Sequence, residues 1–265
     1  MISVIMSAYN AEKTVRRAAE SILCGSYQDL ELIIADDGSS DKTYKILQQI
    51  SAADPRCICF QNKTNKGLAF SLNKCLDFAH GEFIARMDAD DYSLPDRLQV
   101  QSDYLTRHKE VGFVGSAAYL IHNNTIYGIR RFPSSPSSSD IIRRNPFIHP
   151  SILFRRECFK KTDGYKDTPF TWRCEDYDLF FHLYSKGIKG HNLPQPLLLY
   201  EESPHDTSKH TIRSRINEFC VRFCGSLKLK KTLGLLFAFK SLIAVFIPKK
   251  LYLKLKYNRK ENRFI

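Results

Sequence analysis

Short apolar runs alternate with helical patterns through the first third of the chain, and this alternation constrains the fold more than any other feature. The pattern predicts strands over 2–6, 30–35, 57–60 and 83–87, and helices over 11–23, 42–51 and 67–79. Strands and helices that alternate at this spacing form right-handed βαβ units around a mostly parallel sheet. The sequence therefore predicts an α/β fold with a mixed, mainly parallel sheet flanked by helices.

The same reasoning extends less regularly into the second half of the chain. We predict a helix over 95–107, strands over 111–121 and 152–154, and a helix over 175–185. The serine- and proline-rich stretch 133–139 has the composition of a flexible loop, which indicates a hinge or lid within one domain.

The positive charge of the chain is concentrated at its carboxyl end. The formal net charge is +12, yet residues 209–265 hold 15 basic and two acidic side chains, whereas residues 1–208 hold 25 and 26. This distribution argues against a protein that binds nucleic acid over its whole surface. We therefore predict a near-neutral catalytic or binding domain over 1–208 and a basic, partly apolar helical tail over 209–265.

The tail contains an apolar run that suits a membrane surface. The run covers the 17 residues of 232–248 and is interrupted only by Lys240. A spanning helix needs about 20 apolar residues, and a central lysine costs roughly 2.5–3.5 kcal/mol. Flanking lysines would attract anionic lipid at about 1 kcal/mol each. We expect a peripheral anchor on the inner face of the plasma membrane, the alternative being a core helix with a solvated basic face.

The eight cysteines indicate reduced thiols rather than disulfides or a zinc site. The chain enters a strand-like run at once, without the pattern of a secretory leader. The spacings Cys57-x-Cys59 and Cys220-x3-Cys224 differ from the CxxC pairs of structural zinc sites. These features favour a cytosolic protein.

Two of the predicted strands end in clusters of carboxylates, Asp36-Asp37 and Asp88-Ala89-Asp90-Asp91. In open α/β sheets, ligands bind beyond the carboxyl ends of the strands. Three carboxylates within four residues repel one another, and Mg²⁺ or Mn²⁺ would neutralise them together with substrate phosphates. The alternative is a solvated acidic turn before the next helix. Neither GxxxxGK[ST] nor GxGxxG is present, which disfavours ATPases and dinucleotide enzymes.

The motifs taken together resemble those of family 2 glycosyltransferases, inverting enzymes of the GT-A fold. They occur in the family's order: Ser7-Ala8-Tyr9-Asn10, Asp36-Asp37-Gly38-Ser39, Asn65-Lys66-Gly67-Leu68-Ala69, Ala85-Arg86-Met87-Asp88-Ala89-Asp90-Asp91, Pro95-Asp96-Arg97 and Glu175-Asp176-Tyr177-Asp178-Leu179. The resemblance covers about residues 1–202. It is closest to bacterial enzymes that build exopolysaccharide, capsule or lipopolysaccharide.

The resemblance implies a role for each matching residue. The donor nucleotide would be bound by Ala8, Tyr9, Asp36, Asp37, Lys66 and Asp88. A divalent cation, Mg²⁺ or Mn²⁺, would be held by Asp90 and Asp88, whereas the part played by Asp91 is left open. Asp176 would act as the general base, with Glu175 beside it to position the acceptor or tune the base.

These roles describe the transfer of a sugar from a nucleotide-diphosphate sugar to a hydroxyl of a glycan or lipid-linked acceptor. Metal would stabilise the leaving group, and attack from the opposite face would invert the anomeric carbon. The amino end of a helix would keep Asp176 ionised. The alternatives are a sugar-phosphate nucleotidyltransferase, whose glycine-rich loop is missing from 6–10, and a non-enzymatic binder of nucleotides or nucleic acid. The apolar run suits lipid better than nucleic acid, so we expect no nucleic-acid partner.

Several residues near these motifs fit either a site or the core. Arg86 could pair with a carboxylate or reach a phosphate, and His149 could face the substrate or be structural. Trp172 and Tyr165 could stack on an acceptor sugar or simply be buried. The family often has Tyr-Arg near the end of the domain, whereas this chain has Tyr200-Glu201-Glu202, followed by His205.

Overall fold

A computed structural model of the chain describes residues 1–203 and 211–243. Three of the predictions above concern positions outside these residues. They are the domain boundary after residue 208, the role of His205, and the part of the apolar run and basic tail that lies beyond residue 243.

The first four strands of the sheet are parallel and neighbouring. They are β1 (Ile2–Ala8), β2 (Leu30–Asp36), β3 (Cys57–Gln61) and β4 (Phe83–Asp88). β1 lies between β2 and β4, with Ala8 opposite Asp36 and Ser7 opposite Asp88. Because the strands are parallel, their carboxyl ends meet at one edge, and both predicted acidic clusters flank the end of β1.

Four helices cover the two faces of this parallel part. They are α1 (Val15–Leu23), α2 (Thr43–Ala53), α3 (Leu68–Phe78) and α4 (Arg97–Arg107). Side chains alternate across β1, so Val4 joins the core cluster that contains Ile22 of α1, and Ile5 joins the cluster that contains Leu72 of α3. Burial on both faces explains why β1 is apolar along most of its length.

The second half of the sheet is mixed. It contains β5 (Tyr92–Ser93), β6 (Val111–His122), β7 (Thr125–Arg130), β8 (Leu153–Arg155) and β9 (Lys189–Glu201). Within the described residues the strand order is β3-β2-β1-β4-β8-β6-β9-β5, with β7 paired to β6. β8 is antiparallel to both β4 and β6, whereas β9 is parallel to β6. This is the predicted class of a mixed α/β sheet flanked by helices.

The sequence pattern did not predict strands β9 and β7, for identifiable reasons. β9 contains Pro194 and Pro196, which argue against a central strand. The strand accommodates them where its register with β6 shifts, between Ser116 and Ala117. β7 follows a tight turn at residues 123 and 124, both of which are asparagines with positive φ. Two adjacent asparagines are a usable sequence signal for a hairpin turn.

The serine-rich stretch, predicted to be a flexible hinge or lid, is anchored on both sides. Ser137 caps α5 (Ser138–Arg143) through a reciprocal capping box with Asp140. Asn192 of β9 donates from its side chain to the Pro133 carbonyl at 2.9 Å, and the Tyr184 hydroxyl donates to the Pro136 carbonyl at 2.6 Å. The stretch is therefore hydrogen-bonded to α7 and β9 and leads into α5, and its role as a hinge or lid stays a prediction.

Helices complete the carboxyl-terminal part of the described chain. They are α6 (Glu157–Thr162), α7 (Glu175–Ser185), α8 (Ile212–Lys228) and α9 (Thr232–Ile243). α8 packs on α7 at Gly225, where an added Cβ would lie 2.3 Å from Cγ of Phe181. α9 packs on α5 and α8. Over the described residues, every helix is too short or too polar to span a bilayer.

We expect Gly225→Ala to lower the free energy of unfolding by about 2 kcal/mol. Overpacking a filled contact costs roughly 1–3 kcal/mol, which outweighs the helix propensity gained by alanine. Urea denaturation measures the change, with Cys224→Ala, an exposed neighbour on the same helix, as the control. Equal stability of the two variants would contradict the close contact between α8 and Phe181.

Candidate active site

The acidic turn after β2 is held by hydrogen bonds to its own carboxylates. Asp37 is buried, and its Oδ1 accepts from the Lys66 backbone N–H at 2.9 Å and its Oδ2 from Gly67 N–H at 2.8 Å. Asp36 is fully buried and accepts from the Gln61 side chain at 2.7 Å and from the Ser39 hydroxyl. Both acids thus fix the loops at the end of the parallel strands.

A cavity of about 510 Å³ opens above this turn. Tyr9, Asp37 and Lys66, three of the residues predicted to bind the nucleotide, line it together. Tyr9 is 51% exposed, so its ring is available to a ligand. The other two residues predicted to lie here, Ala8 and Asp36, are buried, and the Ala8 carbonyl accepts from the Asp37 N–H at 2.8 Å.

The carboxylates of Asp88, Asp90 and Asp91 form a cluster after β4, with one oxygen of each within 4.8 Å of the others. Asp91 is buried, and its Oδ1 accepts from the Glu201 N–H at 2.8 Å. Its Oδ2 is buried without a hydrogen-bond partner in the described part of the chain. Burial and the charges of Asp88 and Asp90 raise the pKa of Asp91 well above its usual value. The set of carboxylate donors and their excess of negative charge fit a hard divalent cation.

Arg86 lies beneath this cluster and pairs with it. Its guanidinium is buried and lies 2.5 Å from Asp88 Oδ1, measured from Nη1. Arg97 of the Pro-Asp-Arg motif donates from Nη2 to the Arg86 carbonyl at 2.6 Å. Of the alternatives left open for Arg86, the structure contains the ion pair with a carboxylate.

The second pair of acids stands at the amino end of α7. Asp176 is half-buried, and its Oδ2 accepts from the Asn145 side chain at 2.8 Å and its Oδ1 from the Tyr177 N–H at 2.7 Å. Glu175 beside it is buried. Burial and the Asp176 charge raise the pKa of Glu175 to about 7.

The expectation that the helix terminus keeps the pKa of Asp176 low is wrong. Burial raises the pKa of Asp176 above its usual value, although its backbone hydrogen bonds and Arg86 oppose the change. Desolvation of the carboxylate therefore outweighs the hydrogen bonds and the Arg86 charge that favour its ionised form.

A second cavity, of about 730 Å³, brings both groups of acids together. Asp88 and Asp90 line it, and so do Glu175 and Asp176. Glu175 also lines the smaller cavity, together with Leu68 and Arg173. The two cavities therefore border one another, and the site is a continuous cleft along the carboxyl edge of the sheet.

At the place where the family often has Tyr-Arg, this chain has Tyr200-Glu201-Glu202, and a basic residue from another strand contacts this segment. Arg130 of β7 forms an ion pair with Glu202 and places its guanidinium 5.4 Å from the centre of the Tyr200 ring. Both Arg130 and Tyr200 line the larger cavity. A cation thus reaches this wall from the β6–β7 hairpin.

His149, Tyr165 and Trp172, which the sequence allowed either at a site or in the core, differ in their exposure to solvent. His149 and Tyr165 are buried and share a hydrogen bond of 2.8 Å between Nε2 and the hydroxyl. Burial lowers the pKa of His149 well below its usual value, so its ring is neutral at pH 7. Trp172 is 39% exposed, and the guanidinium of Arg213 lies 5.1 Å from its ring centre. Of the two aromatic residues, Trp172 lines a cavity and Tyr165 packs in the core.

Two residues that sequence reasoning missed hold the acids in place. Asn145 donates to Asp176, while its Oδ1 accepts from the Phe147 N–H at 3.1 Å across the intervening proline. This is the turn that Asn-Pro favours, so the dipeptide was a usable signal. Arg17 of α1 donates to the Asp90 carbonyl at 2.9 Å, a contact over 73 positions that no local pattern indicates.

Comparison with known proteins decides the family. Residues 3–166 match the family described as glycosyl transferase family 2. The chain belongs to this family. It is 36% identical over 249 residues to the putative glycosyltransferase EpsE of Bacillus subtilis, covering 93% of this chain and 90% of the relative. It is 32% identical over 193 residues to the glucosyltransferase WfaP of Escherichia coli, covering 72% and 73%.

Solved structures agree on the fold. TarS of S. aureus, crystallised with UDP-GlcNAc, aligns with a TM-score of 0.72 at 17% identity, covering 92% of this chain and 72% of that one. The mannosyltransferase PcManGT of Pyrobaculum calidifontis aligns with a TM-score of 0.62 at 18% identity, covering 97% and 79%. The predicted α/β fold, family and glycosyltransferase class are confirmed, and the nucleotidyltransferase and non-enzymatic alternatives are set aside.

The pKa values of the acid pair predict the pH dependence of sugar transfer, on the expectation that Asp176 accepts a proton. A base with a raised pKa holds its proton at low pH, so activity should rise with pH over a range above that of an ordinary carboxyl group. Glu175→Gln removes a negative charge and should move this limb to lower pH. Asn145→Ala removes a hydrogen bond to the charged form and should move it to higher pH, each by about one unit.

Profiles of kcat/KM against pH for both variants measure these shifts. Glu157→Gln is the matched control, because Glu157 is an exposed acid in the first turn of α6. Shifts in the same direction for Glu175→Gln and Asn145→Ala would contradict the assignment of the limb to this pair.

Proposed function

We propose that the chain is an inverting, metal-dependent glycosyltransferase that acts at the membrane in the synthesis of bacterial surface polysaccharide. It would move a sugar from a nucleotide diphosphate to a hydroxyl of a glycan or lipid-linked acceptor. The observation that carries this proposal is the larger cavity, which is lined by a carboxylate cluster and by a separate pair of acids at a helix terminus. Metal-assisted inverting transfer uses a metal-binding carboxylate and a separate carboxylate that accepts the proton.

The names of relatives support the substrate class. WfaP is described as a UDP-glucose transferase that acts on GlcNAc-diphosphoundecaprenol. WbnJ of Escherichia coli, 32% identical over 217 residues, is described as an O-antigen biosynthesis glycosyltransferase. A lipid-linked glycan is the acceptor class that these names favour for this chain.

The smaller cavity is the proposed site for the nucleotide. Tyr9 offers an exposed ring, Asp37 a carboxylate and Lys66 a cation on its walls. Ala8 and Asp36 would contribute by holding the turn, since their backbone and carboxylate groups already bond within it. Asp88, which lines the adjoining cavity, would lie toward the ribose or a metal-bound water.

Asp88 and Asp90 are the proposed ligands of Mg²⁺ or Mn²⁺. The fit rests on the three clustered carboxylates and on the buried, unpartnered Asp91 Oδ2 in the described region. When bound, the cation would neutralise charge that develops on the departing nucleoside diphosphate. PcManGT, which shares the fold, is described with GDP-Man and Mn²⁺.

Asp176 is the proposed general base. As the acceptor oxygen bonds to the anomeric carbon and the bond to the diphosphate breaks, the hydroxyl proton passes to the Asp176 carboxylate. Asn145 fixes the orientation of that carboxylate, and burial raises its proton affinity. Attack opposite the leaving group inverts the anomeric carbon.

The described part of the tail supports attachment to an anionic membrane surface. α9 buries small residues, Gly234, Ala238 and Ser241, against the body of the protein. It exposes large apolar residues, namely Leu233, Leu236, Phe239 and Ile243. Lysines 228, 230, 231 and 240 accompany this face, a combination typical of helices that lie in a membrane interface. The eight free thiols favour the reducing, cytoplasmic side.

We expect Asp90→Asn and Asp176→Asn each to lower sugar transfer about 10³-fold without changing the thermal unfolding temperature. The measurement is release of nucleoside diphosphate from a panel of UDP- and GDP-sugars with Mn²⁺. Asp90→Asn should also weaken Mn²⁺-dependent binding of the nucleotide, whereas Asp176→Asn should retain it. Asp77→Asn, an exposed acid on α3, is the control. Full activity in either site variant would reject its role.

Replacing two exposed leucines should weaken membrane binding. Leu233→Gln with Leu236→Gln should lower the affinity for phosphatidylglycerol vesicles about tenfold or more, because each leucine contributes roughly 1.5–3 kcal/mol when buried. Flotation of the full chain at moderate salt measures the change. Ile126→Gln, which alters an apolar residue 54% exposed on β7, should bind like the unaltered protein. Failure of the unaltered chain to float would refute the membrane proposal.

A further inference from the structure

A third cavity, a groove of about 470 Å³, lies between α5 and α9. Its walls carry three cations, Arg143, Arg144 and Lys240, and the apolar ring of Phe237. The acid on its described lining, Asp140, accepts from the Ser137 backbone N–H at 2.9 Å as part of the α5 cap. The groove is therefore basic and suits an anionic group.

The groove joins the catalytic cavity at Arg144, which lines both. Arg222 of α8 builds the wall between them. It is buried and donates from Nη1 to the Arg143 carbonyl at 3.0 Å and from Nη2 to Glu218 Oε1 at 2.7 Å. These bonds hold the end of α5 against α8, so the arginines at the end of α5 are placed by a packed structure.

The other side of the groove is α9, whose outward face is apolar. Phe237 and Lys240 line the groove, while Leu236 and Phe239 on the same helix are exposed. An apolar surface, a basic groove and the catalytic acids thus follow one another along a single path. This order matches a molecule with a lipid tail, a phosphate linkage and a sugar.

We propose that the groove between α5 and α9 binds the phosphate linkage of a lipid-linked acceptor and so presents its sugar to the catalytic cavity. This proposal rests on the proposed function, since it concerns the acceptor of that reaction. Arg143 and Arg144 would bind the phosphate oxygens with charge-assisted hydrogen bonds. Lys240 would add a third cation next to the membrane surface.

Binding of farnesyl diphosphate and farnesol to the full chain in non-ionic detergent tests the proposal. EDTA is present and donor is absent, so that the Asp88–Asp90 cluster cannot hold the diphosphate through a metal. We expect the diphosphate to bind at least about tenfold more tightly than the alcohol. Arg143→Gln with Arg144→Gln should abolish this difference. Lys160→Gln, an exposed cation on α6, should leave it unchanged.

Vesicles of phosphatidylglycerol distinguish an acceptor from membrane headgroups. The double arginine variant should lose less than about twofold in vesicle affinity, because α9 provides the membrane contact. Equal loss of vesicle and farnesyl diphosphate binding would overturn the proposal in favour of a headgroup site. Unaltered farnesyl diphosphate binding by the variant would also overturn it. A chain that transfers sugar yet fails to distinguish the diphosphate from the alcohol would overturn this proposal alone.

Discussion

This acidic site depends on the positive charge of the buried Arg86 guanidinium. It pairs with Asp88 at 2.5 Å, and its carbonyl is held by Arg97. Burial raises the pKa values of Glu175 and Asp176, and the positive charge of Arg86 opposes that rise. A buried cation near two groups of acids thus lets them line one cavity with lower pKa values than burial alone would give them.

The arrangement of the parallel strands determines where the acidic side chains near Arg86 lie. β1 has β2 and β4 as neighbours, so the residues that follow all three strands come to one edge. Antiparallel β8 then extends the sheet beyond β4. The chain enters β8 from Asn145, through the turn that contains His149. The loop that positions Asp176 is therefore tied to the strand that ends at the carboxylate cluster. Hydrogen bonds within the sheet couple the two halves of the site.

The sequence predicted those parts of the site that depend on local pattern. The bounds of α7, Glu175–Ser185, agree with the prediction, and the apolar runs located β1 to β4 within one or two residues. It could not predict contacts between distant segments, such as Arg17 with the Asp90 carbonyl or Arg130 with Glu202. It also could not predict that burial outweighs the hydrogen bonds to Asp176, because burial depends on the whole fold.

In the tail, packing determines which side chains of an apolar helix are exposed. An apolar helix ordinarily turns its large side chains inward, since their burial contributes most to stability. α9 does the reverse, because close approach to α8 requires Gly234, where an added Cβ would lie 2.1 Å from Ser226 Oγ. Four of the larger side chains, those of Leu233, Leu236, Phe239 and Ile243, are then left exposed on the same helix as Lys240, whereas Phe237 packs inward. Lysines 228, 230, 231 and 240 therefore accompany an apolar surface that the described body of the protein does not cover. The two features together favour a lipid surface over a polyanion in solution.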